Sequence, residues 1–416
     1  MKIFFTIISI LLFVSNILYS QTWVQHLNGR SVWSLANDNL GNVYAGGLTS
    51  SNSRIWKSVN GGETWDTIFV GAGQTMWDFG FDVANNIYVA NFSNGLLKST
   101  NNGLNFSLTP ISAFNNKNLQ GVECGSAGHV FVTTSMGFFR SADNGQNFIE
   151  TALTGFNCLP VLVDKDSSNI VYVGVSSAGG SGIGFYRSTD NGMTFSANLN
   201  PGKNGYNLFQ NNNGDVYMIT TTSPYNFDRS TNKGLSWTTV SNTAPSQRGI
   251  TRSGLGNFYT AGNGGVFRST NGGLNFTNHN FTLSSTPVLF NNYNNVLKIL
   301  TGTSGTTNGG VWSFIEGIVQ YVSSQNNSGL SFELSQNYPN PFNPFTTITY
   351  KLEISEFVSL KVYDALGIEV ADLVNEKQSP GKYQVNWHAD HFNSGVYFYT
   401  LKVKNFIETK KMLIIK

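Results

Sequence analysis

An eight-residue phrase recurs six times along this 416-residue chain. It reads Ser-x-Asn/Asp-x-Gly-x-(Asn/Thr/Ser)-(Trp/Phe). The copies begin at Ser58, Ser99, Ser141, Ser188, Ser230 and Ser269, in steps of 41, 42, 47, 42 and 39 residues. A period of about forty residues built from short strands marks a propeller or a similar array. Such a phrase constrains how the chain folds far more than what it binds.

Each copy follows an alternating apolar stretch and leads into a second one, as Gly265-Val266-Phe267-Arg268 leads through Ser269 to Phe276. This is a hairpin signal. The third position, Asn60, Asn101, Asp143, Asp190, Asn232 or Asn271, is suited to an Asx turn on its own backbone. The fixed glycine, Gly62, Gly103, Gly145, Gly192, Gly234 or Gly273, supplies positive φ without a Cβ clash. The closing Trp65, Phe106, Phe148, Phe195, Trp237 and Phe276 offer apolar area to a core. Lys57, Lys98, Arg140, Arg187, Arg229 and Arg268 just before the phrase are expected to snorkel at blade edges.

A second phrase, of the type Gly41-Asn42-Val43-Tyr44-Ala45, precedes each hairpin and has a seventh copy at Asn295-Val296-Leu297-Lys298. That copy leads to Gly309–Phe314, a third strand with no hairpin phrase after it. Thr22-Trp23-Val24-Gln25 matches the phrase's ending, so the N-terminal strand is expected to complete the last blade and close the ring. Residues 22–315 number 294, seven times 42. Radial closure also protects open sheet edges.

The hairpin phrase resembles the Asp-box, or BNR repeat, of sialidases, some glycoside hydrolases, sortilin-type receptors and photosystem assembly factors. The resemblance implies a structural hairpin between the third and fourth strands of each blade. Asn stands for Asp in four of the six copies, so no catalytic carboxylate is implied there.

The chain ends carry different signals. Met1-Lys2, an apolar run from Ile3 to Leu18 and Tyr19-Ser20-Gln21 read as a signal peptide cut after Ser20. A membrane anchor is the alternative, but no second charged flank follows the run. Ser323–Gly329 is small and polar, like a linker. Beyond it, Val358, Leu360 and Val362 share one strand face, as do Tyr383, Val385 and Trp387, and Tyr397, Tyr399 and Leu401. Asp364–Gly367 and Pro380-Gly381 read as turns. Short alternating strands of this kind indicate a small Ig-like β-sandwich. The expected organisation is signal peptide 1–20, seven-bladed β-propeller 21–316, linker 317–335 and sandwich 336–416.

The tail resembles the type A C-terminal sorting domain of the type IX secretion system. The resemblance rests on Asn337-Tyr-Pro-Asn-Pro-Phe-Asn-Pro344, Val362-Tyr-Asp-x-x-Gly367, Gly381-x-Tyr-x-Val-x-Trp387, Gly395-Val-Tyr-Phe-Tyr399 and Lys410-Lys411. It implies the secretion machinery as a partner, export to the periplasm and then release or attachment at the outer-membrane surface. An adhesive Ig-like module is the plainer alternative.

Only 12% of residues are charged and the net charge is +2, which leaves no nucleic-acid footprint. Cys124 and Cys158, placed on neighbouring first strands with opposite parity, read as buried thiols, with a disulfide as the alternative that the export route permits. The five histidines are scattered, and His388-x-x-His391 reads as a loop. Asp164–Asn169 reads as a turn, with calcium as the lesser alternative. No cofactor or metal is expected. The Arg-Ile-Pro phrase of sialidases is absent, and only Arg30, Arg248 and Arg252 are free for a carboxylate clamp.

Comparing the repeats with one another gives the remaining site candidate. One first-strand position is always apolar: Leu35, Phe79, Val122, Val161, Leu208, Ile250 and Val288. Two residues earlier stand Trp33, Trp77, Gln120, Leu159, Tyr206, Arg248 and Thr286. Trp33, Trp77, Gln120, Tyr206 and Arg248 suit a channel mouth that stacks on sugar rings or holds a peptide. Inter-blade packing is the competing reading, because the two positions share parity. The expected function is a secreted or surface-attached module that binds glycan or protein, with no transmembrane segment after signal removal. The alternative is a glycosidase of sialidase-like architecture.

Overall fold

The computed structural model describes residues 22–318, except 50, 51, 179–181, 221–224, 243–247 and 295, and residues 332–415, except 365–368, 404 and 405. The expected signal peptide, the 323–329 linker, Asn295 and most of the 364–367 turn lie outside the described residues. The chain divides into two compact units, Met1–Val319 and Gln320–Lys416.

In the first unit, the described strands form seven antiparallel sheets. Blade I pairs Ser31–Asn37, Val43–Thr49, Asn52–Ser58 and Asp66–Ala72 in sequence order, and blades II, III, V and VI repeat this meander. Blade VII runs Ser285–Tyr293, Val296–Thr303 and Gly310–Ile318, and its fourth strand is Val24–His26 from the other end of the unit. There Val24 faces Ser313 and His26 faces Val311. Blade IV has three described strands. Where the fourth is expected, Ser196 and Leu199 N–H bond Arg187 and Phe185 O (both 2.9 Å), and between them the Asn198 side chain accepts from Phe185 N–H (3.2 Å) and donates to Ile183 O (2.7 Å). Each blade's first strand packs on the first strand of the next, and the seventh on the first, so the sheets close a ring.

The hairpin phrase explains how neighbouring blades lock. In all six copies the Ser Oγ accepts the N–H of the fixed glycine at 2.8–2.9 Å. The Asn or Asp Oδ1 accepts the Ser hydroxyl and the N–H four residues on. Only an acceptor oxygen is required, so Asn and Asp are interchangeable at this position.

The glycine has a second reason to be there. A Cβ on Gly273 would lie 2.2 Å from the Phe227 ring of the preceding blade, and on Gly234 2.7 Å from Phe185. On Gly192 it would meet Phe138, on Gly145 Tyr88, on Gly103 Ile68, and on Gly62 Leu300 of blade VII. The same rings also meet the closing aromatic of the phrase: Phe195 on Phe138, Trp237 on Phe185 and Phe276 on Phe227, all edge-on at 4.6–5.3 Å. The closing aromatics are half-buried and pack against the hydrophobic clusters at the blade junctions. The preceding lysines do more than snorkel: Lys57 and Lys98 reach Asn102 and Asn144 O in the next blade's hairpin.

Cys124 and Cys158 are both free. The second unit packs Leu334, Phe342, Ile348, Tyr350 and Trp387 against Val358, Leu360, Val362, Tyr397, Tyr399 and Leu401 in one buried core. Its two sheets have three and four strands.

Two measurements check this account. Gly272→Ala and Gly273→Ala both place Cβ at positive φ, but only the second meets a neighbouring blade. Gly272→Ala should cost about 1–2 kcal/mol, and Gly273→Ala a further ~1–3 kcal/mol of overpacking. Equal melting temperatures for the two full-length variants would refute the clip. Trp23 packs on Phe281 and Phe314 at 4.7 and 5.5 Å and donates Nε1–H to His279 O. Trp23→Ala should cost about 3 kcal/mol, and an unchanged urea midpoint would argue against ring closure through this strand.

Candidate functional site

The first strands enclose a central cavity of about 450 Å³, within the usual size range of ligand sites. Its shape follows from a repeated backbone defect. In blade I Val32 faces Gly47 and Ser34 faces Gly46, which leaves Trp33 as an extra residue. Trp77, Gln120 and Tyr206 are the extra residues of blades II, III and V. Blades IV and VII slip across Leu159-Pro160 and Thr286-Pro287. Arg248 donates its N–H to Ala261 O (2.7 Å), although Ala261 already faces Gly249.

A bulged residue leaves the ladder, and the alternation of faces restarts after it. The two-residue alternation on which the inter-blade packing alternative rests is interrupted at these positions, although Leu35, Val161, Leu208, Ile250 and Val288 line the same cavity. Trp33, Trp77, Gln120, Tyr206 and Arg248 all line the cavity, together with Leu159 and Thr286. Trp77 also packs on Phe92 at 5.4 Å, so it serves the blade and the channel at once. Trp33 Nε1 and Gln120 Oε1 are enclosed without a hydrogen-bond partner among the described residues.

Two carboxyl groups share this lining, Asp78 of blade II and Glu123 of blade III. Asp78 Oδ2 accepts Val122 N–H of the neighbouring blade (3.1 Å), and Oδ1 accepts Phe79 N–H (2.9 Å). Ser34 and Asn207 occupy equivalent positions and also bond the next first strand, through Met76 O (2.8 Å) and Arg248 O (3.1 Å). Asp78 is thus a blade clip that happens to be ionisable. Burial pushes its carboxyl up to about 7. Glu123 is pushed up to about 8, first by burial and further by the Asp78 charge. Its Oε1 accepts Cys124 N–H at 3.1 Å.

Neither acid stands at the bulge position, so the variation there does not reveal them. One step further, Asp78 stands where the other blades carry Ser34, Gly121, Pro160, Asn207, Gly249 and Pro287. Glu123 stands where they carry Ala36, Gly80, Leu162, Phe209, Thr251 and Leu289. The same comparison applied there isolates both.

The other candidates lie elsewhere. Arg252 bonds Gly256 O at a turn and covers Phe258, so it does not join Arg248 in the cavity lining. His26 bonds Ser313 Oγ in the closing strand, and His129 pairs with Arg140. The Asp164 carboxylate accepts from Tyr172 OH (2.6 Å) and Gln210 Nε2 (3.0 Å), so it serves the turn.

No curated protein is similar enough in sequence to count as a relative. Solved structures share the fold at low identity. One is PorZ of Porphyromonas gingivalis, described as an essential bacterial surface component of the type-IX secretion system. It has a TM-score of 0.52 and 14% identity, over 93% of this chain and 59% of PorZ. The chain therefore spans somewhat more than half the length of that protein. Others are YCF48 bound to D1 peptide (TM-score 0.53, 13% identity, 72% of this chain and 98% of that one) and an inactive virginiamycin B lyase from Staphylococcus aureus with quinupristin (TM-score 0.56, 12% identity, 71% and 98%). These likenesses establish the β-propeller fold. Residues 336–416 match the secretion system C-terminal sorting domain, so the chain carries a type IX sorting tail that takes it to the cell surface or out of the cell.

Proposed function

We propose that this is an exported propeller that binds a glycan or a protein through the mouth of its central channel, without turning it over. The observation that carries the reading is the ring of bulged residues. The bulged residues of blades I, II, III and V, with Leu159, Arg248 and Thr286 at the matching positions, differ in chemistry from blade to blade, whereas the position two residues on is apolar in all seven. Scaffold positions converge on one residue type across repeats, whereas a surface that reads a ligand needs diversity. Trp33, Trp77 and Tyr206 supply stacking area, and Gln120 and Arg248 supply directional polar contacts. In this reading the six hairpins are Asp-boxes of purely structural role, residues 21–316 are the working module, and residues 336–416 are its address. A signal peptide at 1–20 supplies the first export step, and the sorting machinery handles the second.

A glycosidase is the second reading, and the Asp78–Glu123 pair is the observation in its favour. Two acids with raised affinity for protons resemble a general acid and its partner. Both acids, however, stand on adjacent first strands, on one wall of the channel. Glycoside hydrolysis needs carboxyls that flank the scissile bond, so binding remains the better reading.

Glycan and surface-protein arrays probed with the full chain test the proposal. Trp33→Ala and Trp77→Ala should each weaken the captured ligand by ~2 kcal/mol, roughly 30-fold, with little change in melting temperature for Trp33→Ala. Binding that survives both substitutions would place the site elsewhere. Turnover in a fluorogenic glycoside panel, abolished by Glu123→Gln, would replace the binding reading with the enzymatic one.

A further inference from the structure

The charges in the channel are not spread evenly, and their placement selects a class of ligand. Counting round a ring of seven, the junction of blades II and III lies opposite blade VI. The two acids, Asp78 and Glu123, belong to that junction, and Arg248 belongs to blade VI. The acidic wall also carries Trp77 and Gln120, and Trp33 stands beside it on blade I. Gln120 Oε1 is an enclosed acceptor without a partner among the described residues. Blades I to III thus present indole rings, an amide oxygen and two carboxyls to a single side of the cavity. All of these favour positive charge: carboxylates by Coulomb attraction, the amide oxygen as an acceptor, and the indole faces through their quadrupole.

We propose that the channel receives the side-chain ammonium of a lysine presented by a partner polypeptide, with Asp78 and Glu123 as counter-charge and Trp33 and Trp77 as an aromatic collar. The inference rests on the channel mouth being the binding site, and it narrows the ligand from glycan or protein to a protein segment with an exposed lysine. The ammonium is a compact charge on a slim aliphatic stem, so it can pass between aromatic side chains while its methylenes pack on them. Arg248 on the far wall is placed for the backbone carbonyls or a carboxylate of the same segment.

The empty channel holds its acids partly protonated near neutrality, because burial disfavours their charged forms. The ionisable groups facing them in the cavity are each other, Tyr206 and Arg248. Tyr206 is raised by burial, despite Arg248, and stays neutral in this range. Binding an ammonium must therefore release a proton, and affinity should increase as the pH rises through about 7 and 8.

The test is a tryptophan-fluorescence titration of the full chain with blocked Ala-Lys-Ala, and with blocked Ala-norleucine-Ala as the uncharged isostere. The lysine peptide should bind saturably and at least roughly a hundredfold more tightly at pH 9 than at pH 6, the larger part of it from Glu123, and the norleucine peptide should bind far more weakly. Glu123→Gln keeps an oxygen for Cys124 N–H and should melt like the parent. It should lose most of the affinity and most of the pH dependence. Equal binding of the two peptides, an unchanged affinity in Glu123→Gln, or equal capture of blocked Ala-Arg-Ala would overturn the proposal. A neutral oligosaccharide that binds and is displaced by Trp33→Ala, with no lysine binding, would refute it while leaving the channel-binding reading intact. No ligand for the channel in any of these experiments or in the arrays would end both.

Discussion

A four-stranded blade has two flanks, and neither is self-sufficient. In this ring the junction is made by inserting one large side chain of the earlier blade beneath the backbone of the later blade's hairpin. The insertion requires a residue without Cβ, and the hairpin turn requires positive φ at the same residue, so one glycine meets both demands. The Ser hydroxyl that bonds the glycine N–H then fixes the height of the turn, and the closing aromatic shuts over the inserted ring. The period of the chain is the period of this clip. The first-strand ring, and with it the channel, stands where successive clips put it.

The fold was legible because that clip leaves residues in the sequence at fixed positions. Six glycines at nearly equal spacing, a seventh copy of the preceding strand phrase at Asn295–Lys298 and a stray Thr-Trp near the amino end pointed to seven repeats and an N-terminal closing strand. What stayed hidden is set by backbone irregularity. A two-residue period assigned the bulge position to the same face as the packed position after it, and no residue type announces a bulge. Trp33, Trp77, Gln120 and Tyr206 share nothing that marks them as extra. Blade IV hid its irregular edge in the same way, since Asn198 reads as an ordinary polar residue until its amide is seen replacing strand rungs.

The two acids illustrate a different limit. Their chemistry comes from neighbours that are remote in sequence. Asp78 is a carboxyl in a strand, whose one local partner is the N–H of the next residue, Phe79. Only the approach of the next first strand supplies Val122 N–H, and only ring closure supplies the desolvation that raises its proton affinity. A blade clip made from Ser34 or Asn207 does the same mechanical work without charge. The choice of an acid at this one junction, beside Glu123 and opposite the cavity's arginine, is therefore not demanded by the scaffold. It carries the strongest indication of ligand chemistry in the channel.

The junction between blades VI and VII shows what the scaffold does demand. Blade VII has no hairpin phrase, so it cannot offer a glycine to blade VI. Trp23 takes the place of the closing aromatic and packs on Phe281. A second substitution accompanies it. In blades I, II and IV a turn carboxylate, Asp38, Asp82 or Asp164, accepts the hydroxyl of the buried Tyr44, Tyr88 or Tyr172. Blade VI has Ser253 at that turn, and its buried Tyr259 donates instead to Glu316 of blade VII (3.0 Å), which also accepts from Ser253 Oγ and Asn257 Nδ2. A carboxylate required within the blade has been supplied from its neighbour, and in that position it also ties the two blades together. The missing clip and the missing turn acid are thus answered together at the one seam where the two ends of the propeller meet. A buried tyrosine hydroxyl left unpaired there would cost about 1–3 kcal/mol, which is enough to make Glu316 part of the closure rather than an accessory to it.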